Sequence, residues 1–166
     1  MEATFYSTSA AAAFALLGLW WVVVAERRLD WLNLATRRRQ AYTVSLYFAL
    51  PGIMSLVSLV SPGQTSIWRL TFGVAGTLGA AETALALPKA RRQLDYRGRI
   101  AALLGLTLPF YVVIIAVAVS PTLPQDLGIK LKALETEAVA VSMLMFLGIN
   151  FAWLLFFEPQ QDPDPR

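Results

Sequence analysis

The chain has 166 residues, of which 57% are hydrophobic and only 15% are charged, and its formal net charge is +3. An average soluble domain carries about 25% charged residues, so this composition argues against a water-soluble fold. The chain contains no cysteine and no histidine, which excludes disulfides, Cys/His zinc sites, iron–sulfur ligation and a Ser-His-Asp hydrolase. No cofactor is therefore expected, and the positive charge indicates membrane orientation rather than nucleic-acid binding.

The apolar residues form five near-continuous blocks of about 20 residues, the length that a helix needs to cross the hydrocarbon core of a bilayer. The predicted spans are residues 4–25, 41–60, 67–87, 100–120 and 138–157. They predict an all-α protein, a five-transmembrane-helix bundle that forms a single domain over residues 1–158. The remaining residues, 159–166, are polar and rich in proline, and they are predicted to be a disordered tail.

The first span is followed by charged residues and lacks the basic leader that precedes the apolar part of a cleavable signal peptide. We therefore predict a permanent helix, with Trp20 and Trp21 as interfacial anchors. The connector over residues 26–40 is predicted to be a charged loop that sets the topology. The alternative is a short surface helix that binds anionic lipid headgroups. The arginines predicted to face anionic lipid are Arg37, Arg38, Arg39, Arg91 and Arg92.

Three prolines bear on the shape of the predicted helices. Pro51 and Pro109 fall near the middle of the second and fourth spans, where each removes a backbone donor. Both spans are therefore predicted to be kinked. Pro88 directly follows the third span and is predicted to end that helix.

The third span carries Gly73, Gly76 and Gly79 at three-residue intervals. Small residues in that pattern form a narrow face on which another helix packs closely in lipid. The pattern predicts helix packing at these glycines, either against another span of this chain or against a second chain. We also predict from it that the third span is the centre of the bundle.

The distribution of basic residues predicts the orientation of the bundle. Eleven lysines and arginines fall in the first and third connectors and the C-terminal tail, against three on the other side. Because basic residues are retained on the cytoplasmic side, the N-terminus is predicted outside and the C-terminus in the cytoplasm. The expected location is a multi-pass position in a bacterial plasma (inner) membrane.

Glu82 is the one acidic residue well inside an apolar span, where a carboxyl group needs a partner, a wet cavity or a route to the headgroups. Asn150 is expected at a similar depth and would meet Glu82 if the third and fifth spans touch. Tyr42 and Thr43, near the inner end of the second span, would complete a polar cluster. Such a cluster predicts a protonatable or cation-attracting site. The alternative is structural: Glu82 bonds Asn150, pairs with an inner arginine or reaches the interface.

The other acidic residues form no catalytic pattern. Five aspartates are scattered among the connectors and the tail. Glu135 and Glu137 belong to the outer loop, residues 121–137, and their two-residue spacing places them on different faces of any helix there. Lys132 and Glu135 are spaced to pair across one helical turn. We therefore predict that the chain is not an enzyme and that it holds no metal ion.

The leading hypothesis from the sequence is a non-catalytic integral membrane subunit or assembly factor that packs against partner helices in a membrane complex. The alternative is a small oligomeric channel, or a proton- or ion-linked transporter, that uses the intramembrane Glu82. The expected partners are membrane lipids and other transmembrane chains or copies of this chain.

Overall fold

A computed structural model describes residues 2–27, 35–60, 65–91 and 96–157. The helices are α1 (Glu2–Glu26), α2 (Ala35–Val60), α3 (Thr65–Arg91), α4 (Tyr96–Val119), α5 (Leu123–Asp126) and α6 (Ala133–Phe156). Five of them, all except the short α5, are long and apolar enough to cross a membrane. The predicted all-α class with five membrane-length helices is therefore confirmed. An apolar block of this length forms a helix because a helix satisfies its own backbone groups in lipid.

Each membrane-length helix begins before the start of its predicted span. α3 continues through Pro88 to Arg91, so the prediction that this proline ends the helix is wrong. A proline near the end of a helix removes one hydrogen bond, and the residues after it still bond to earlier carbonyls. Pro51 and Pro109 also lie inside continuous helices, and the kinks there remain predictions. The predicted tail, 159–166, lies outside the described residues.

α2 is the most buried of the membrane-length helices. In the most apolar part of each span, 56% of the α2 residues are buried, against 28% for α3. Within the described residues α2 packs against α1, α3 and α6, whereas α3 packs against α2 and α4. The prediction that the third span is central is therefore wrong. A glycine face brings one neighbour close, but it does not determine how many neighbours a helix has.

Contacts near the helix ends show that the helices alternate in direction. The hydroxyl of Tyr6 donates to the Leu134 carbonyl at 2.8 Å, so α1 and α6 begin at the same end of the bundle. The indole N–H of Trp20 donates to the Ala41 carbonyl at 3.0 Å, which joins the last part of α1 to the start of α2. This second end is called the arginine-rich end, because Arg27 follows α1 there and Arg37, Arg38 and Arg39 lie in the first turns of α2.

The two adjacent tryptophans of α1 have different environments. Trp20 is 4% exposed, and its indole N–H is satisfied by the neighbouring helix, so its predicted role as an interfacial anchor is wrong. Trp21 is 56% exposed, and its anchoring role remains a prediction. Hydropathy does not separate the two, since neighbouring residues of a helix point in directions that only helix packing distinguishes.

The glycine face of α3 packs against α4. A Cβ added to Gly76 would lie 2.9 Å from Cγ1 of Ile115, and one added to Gly79 would overlap the ring of Tyr111. A Cβ on Gly73 would meet Ala118 only at 4.0 Å. The structure thus uses this face for packing within the chain, which was one of the two alternatives.

Arg69, near the start of α3, caps the end of α4. Its guanidinium donates from Nε to the Ala118 carbonyl and from Nη2 to the Val119 carbonyl, both at 2.7 Å. The last carbonyls of a helix lack intrahelical partners, and a cation there also interacts favourably with the negative end of the helix dipole. Arg69 therefore joins α3 to α4 at the end opposite the arginine-rich end.

We expect Arg69→Gln to lower the free energy of unfolding by about 1.5–3 kcal/mol, the usual contribution of hydrogen bonds from a charged group. The measurement is unfolding in detergent micelles, followed by the helical circular dichroism signal. Arg38→Gln is the control, because Arg38 is exposed at the other end of the bundle. It should change stability by less than about 0.5 kcal/mol, and an equal loss in both variants would contradict the capping role.

Candidate functional site

Glu82 pairs with an arginine at the arginine-rich end of the bundle. Its Oε2 lies 3.6 Å from Nη2 of Arg39, which is in the first turns of α2, and the two side chains are 31% and 35% exposed. An ion pair this open contributes at most about 1 kcal/mol. Pairing with an inner arginine is one of the structural roles predicted for Glu82 as the alternative to a protonatable site.

The polar cluster predicted around Glu82 is not assembled. Within the described residues the backbones of α3 and α6 do not come close to each other, and each of these helices instead packs against both α2 and α4. The side-chain amide of Asn150 donates to a carbonyl one turn earlier in its own helix, at 2.8 Å. Tyr42 is 55% exposed, whereas Thr43 is buried and donates to a carbonyl one turn earlier. The sequence indicates depth in the membrane, but equal depth does not determine which helices are neighbours.

The arginines predicted to face anionic lipid have different environments. Arg38 is exposed, while Arg37 and Arg39 are partly buried in the first turns of α2. The side chain of Arg91 and all of Arg92 lie outside the described part of the structure. Because α2 begins at Ala35, the first three arginines belong to a membrane-length helix rather than to a loop. Their contact with lipid remains a prediction.

α2 carries a row of polar side chains separated by multiples of four residues. The row consists of Arg39, Thr43, Tyr47 and Ser55, and all but the first are buried. Side chains at four-residue spacing form a ridge that is inclined by about 26° to the helix axis. The row therefore winds slowly around α2, and it faces α3 near Arg39 and α4 near Tyr47.

The middle of this row belongs to a hydroxyl network between α2, α3 and α4. The hydroxyl of Tyr47 lies 3.0 Å from Oγ1 of Thr107, which donates to the Leu104 carbonyl at 2.8 Å. Because a threonine hydroxyl has one proton to donate, Tyr47 is the donor to Thr107. The Thr83 hydroxyl interacts with the same phenol. The ring of Tyr111 stacks on the Tyr47 ring, with centroids 6.4 Å apart.

Glu137 is buried within the bundle without a polar partner. It is 0% exposed, and neither of its carboxyl oxygens has a hydrogen-bond partner. Leaving a buried polar group unsatisfied costs about 1–3 kcal/mol, and more for a charged group. Native structures keep such groups rarely, and a functional role is one of the usual reasons. This makes Glu137 a stronger functional candidate than Glu82.

Ser55 is also buried with an unpartnered oxygen, and it lies at a similar depth to Glu137. α2 and α6 run in opposite directions, and Gly148 packs against Tyr47 and Phe48. From that contact, Ser55 is eight residues along α2 and Glu137 is eleven residues back along α6. At about 1.5 Å per residue, the two differ in height by about 5 Å. Two unsatisfied polar side chains thus occur at one level of the bundle.

These side chains together form what we call the buried polar column. Its members are Thr43, Tyr47 and Ser55 of α2, Thr83 of α3, Thr107 and Tyr111 of α4, and Glu137 of α6. From Arg39, where the column meets the ion pair, to Ser55, α2 rises about 24 Å. The hydrocarbon core of a bilayer is about 30 Å thick. The column therefore extends through most of the membrane thickness.

The sequence contained a signal for Glu137 that the prediction missed. The fifth span was expected to begin at residue 138, but α6 begins at Ala133. The buried face of α6 consists of Glu137, Ala140, Val141, Leu144, Leu147, Gly148, Phe151 and Leu155. Extending that three- and four-residue spacing backwards from Val141 leads to Glu137 and not to Glu135. Glu135 instead accepts a hydrogen bond from the backbone N–H of Lys132 at 2.9 Å, where it caps the helix.

In the part of the chain that the structure describes, no three acidic side chains are grouped to hold a metal ion. No family model, no curated protein and no solved structure matches this chain significantly.

Proposed function

We propose that this chain is a small proton-linked membrane transporter or channel in which the buried polar column conducts protons. The supporting observation is Glu137, a carboxyl group that is fully buried and has no partner. The proposal retains the alternative function suggested by the sequence and moves its main carboxyl group from Glu82 to Glu137. We place the arginine-rich end in the cytoplasm of a bacterial cell, following the count of basic residues.

The chemistry of the column suits proton movement. A Ser, Thr or Tyr hydroxyl both donates and accepts hydrogen bonds, so connected hydroxyls relay a proton by exchanging bonds. Ser55 and Glu137 have no partner among the other members of the column, so a proton would pass to them through bridging water. Pro51 lacks a backbone N–H, so the Tyr47 carbonyl has no helical donor and supplies a further acceptor in the middle of the column. Ionisable and polar groups inside a membrane bundle commonly mark such paths.

The two ends of the column differ in their access to water, because Glu82 and Arg39 are partly exposed whereas Glu137 is fully buried. At the arginine-rich end, the partly exposed pair of Glu82 and Arg39 gives access to water and headgroups. At the opposite end, three titratable groups close to the start of α6 have other partners. Tyr6 donates to a backbone carbonyl, Asp126 accepts from a threonine hydroxyl, and Glu135 accepts from a backbone N–H. The carboxyl group of Glu137 is therefore not committed to any of them.

The test is proton flux into liposomes that contain the purified chain, measured with an enclosed pH-sensitive dye under an imposed membrane potential. We expect Glu137→Gln to reduce flux to the level of protein-free liposomes, because the amide has nearly the same volume but exchanges no proton. Tyr47→Phe should slow flux partially, since it removes one hydroxyl from the column and retains the ring.

Glu135→Gln is the matched control, since this acid lies two residues away and is partly exposed. Its flux should equal that of the wild type. Wild-type flux no faster than that of empty liposomes, or unchanged flux in Glu137→Gln, would disprove the proposal. Loss of flux in Glu82→Gln alone would return the role to the carboxyl group that the sequence suggested.

A non-catalytic subunit of a membrane complex is the second candidate, and the exposure of α1 favours it. Only 22% of the residues in the α1 span are buried, and Trp21 and Val22 are each 56% exposed. Purification in mild detergent separates the two functions. A partner chain recovered in a fixed ratio would support the subunit, whereas a monodisperse assembly of this chain alone would count against it.

A further inference from the structure

A cavity of about 290 Å³ lies between α1 and α6 in the arginine-rich half of the bundle. Its walls include Leu16, Leu19 and Val23 of α1 and Ala152, Trp153 and Phe156 of α6. These walls are apolar, and the cavity lies at the level of a single leaflet. An elongated apolar molecule is therefore the kind of occupant that the cavity accommodates.

The dimensions of α1 match one lipid leaflet. From Leu16 to Arg27 the helix rises about 17 Å. Half of the hydrocarbon core is about 15 Å thick. An acyl chain that lies along the cavity from Leu16 would therefore bring its headgroup to the level of Arg27.

Arg27 lies at the mouth of this cavity. Its Cζ is 4.7 Å from the ring centroid of Phe156, which is one of the cavity walls. Its backbone N–H donates to the Val23 carbonyl at 3.1 Å, so the backbone at Arg27 is held by the last turn of α1. A cation–π contact uses the face of the ring and occupies none of the in-plane N–H donors of the guanidinium. Those donors suit a phosphate, which arginine binds in a bidentate manner.

A second cavity between the same two helices has an acidic side chain, Glu135, in its wall, whereas the first cavity has the basic Arg27 at its mouth. This cavity, of about 490 Å³, lies at the other end of the bundle and includes Phe5, Met143 and Glu135 among its walls. A carboxylate there repels an anionic headgroup, whereas Arg27 attracts one. Charge complementarity therefore selects the cavity at the arginine-rich end.

We propose that this cavity binds one anionic glycerophospholipid, with an acyl chain between α1 and α6 and the phosphate at Arg27. The site is separate from the buried polar column, and it holds whether or not the chain conducts protons. Arg27 is not among the individual arginines that the sequence predicts to face anionic lipid. The structural basis for this lipid site is Arg27, whose guanidinium lies over the ring of Phe156 in the wall of the apolar cavity.

The test is native mass spectrometry of the full chain in detergent, after incubation with phosphatidylglycerol or with phosphatidylcholine of the same acyl chains. We expect one phosphatidylglycerol to be retained per chain, and several-fold less phosphatidylcholine. Arg27→Gln should weaken retention of phosphatidylglycerol about fivefold, which corresponds to the roughly 1 kcal/mol that one basic residue contributes at an anionic surface. Ala152→Trp should reduce retention of both lipids, because it fills the cavity.

Arg99→Gln and Ala81→Trp are the controls, since both residues are exposed and neither lines the cavity. Both variants should retain phosphatidylglycerol as the wild type does, and all variants should keep the wild-type helical signal. Equal retention of the two lipids, or an equal loss in Arg27→Gln and Arg99→Gln, would overturn the site. A second protein chain crosslinked at position 152 in place of lipid would overturn it as well.

Discussion

Replacing Glu137 with methionine should raise the free energy of unfolding by about 1–3 kcal/mol, the usual cost of a buried unsatisfied polar group. The carboxyl group is fully buried, and both of its oxygens lack partners in the folded chain. Methionine is unbranched and fits irregular interiors, so it fills the same space without a polar atom that needs a donor. Unfolding in detergent micelles, followed by circular dichroism, measures the change.

Glu135→Met provides a control of opposite sign, two residues away on the same helix. Glu135 accepts the backbone N–H of Lys132 at 2.9 Å, so its loss removes a helix cap. We expect that variant to be less stable than the wild type by about 0.5–2 kcal/mol. Destabilisation of similar size in both variants would mean that Glu137 has a structural partner in the membrane. A stabilised Glu137→Met that conducts no protons would instead identify a group that is retained for function at the expense of stability.

Gly79→Ala should lower the free energy of unfolding by about 1–3 kcal/mol, the usual effect of an overpacked core. The added Cβ would overlap the Tyr111 ring, which is 1% exposed and stacks on Tyr47. The ring cannot move aside without disturbing the hydroxyl network around Tyr47. We therefore also expect slower proton flux, measured in the same liposome experiment.

Two other helical glycines, Gly73 and Gly105, provide controls for the stability change in Gly79→Ala. A Cβ on Gly73 would make ordinary contact with Ala118 at 4.0 Å, so Gly73→Ala should not overpack the helix contact and should gain up to about 1 kcal/mol from helix propensity. Gly105 has nothing within 4 Å of an added Cβ, so Gly105→Ala should gain up to about 1 kcal/mol from helix propensity alone. A neutral Gly79→Ala would show that α3 and α4 do not approach each other as closely as described.

The candidate site was only partly predictable, as two acidic residues illustrate. Glu82 was identified from its position inside an apolar block, and that position made pairing with an arginine one of the stated alternatives. Glu137 was assigned to a loop because hydropathy places the fifth span one residue later. Its burial follows from the packing of α6 against α1, α2 and α4, which hydropathy does not describe.

The sequence by itself determined the number, length and class of the membrane-length helices. Each apolar block must satisfy its backbone groups internally in lipid, and this is a local requirement that needs no knowledge of neighbours. The tertiary structure alone decided that α2 is the most buried helix, that Glu82 meets Arg39 rather than Asn150, and that Glu137 is buried. The physical reason is that lipid is as apolar as the inside of the bundle, so hydropathy does not mark the inward face. That face is set by close contacts between helices, such as Gly79 against Tyr111.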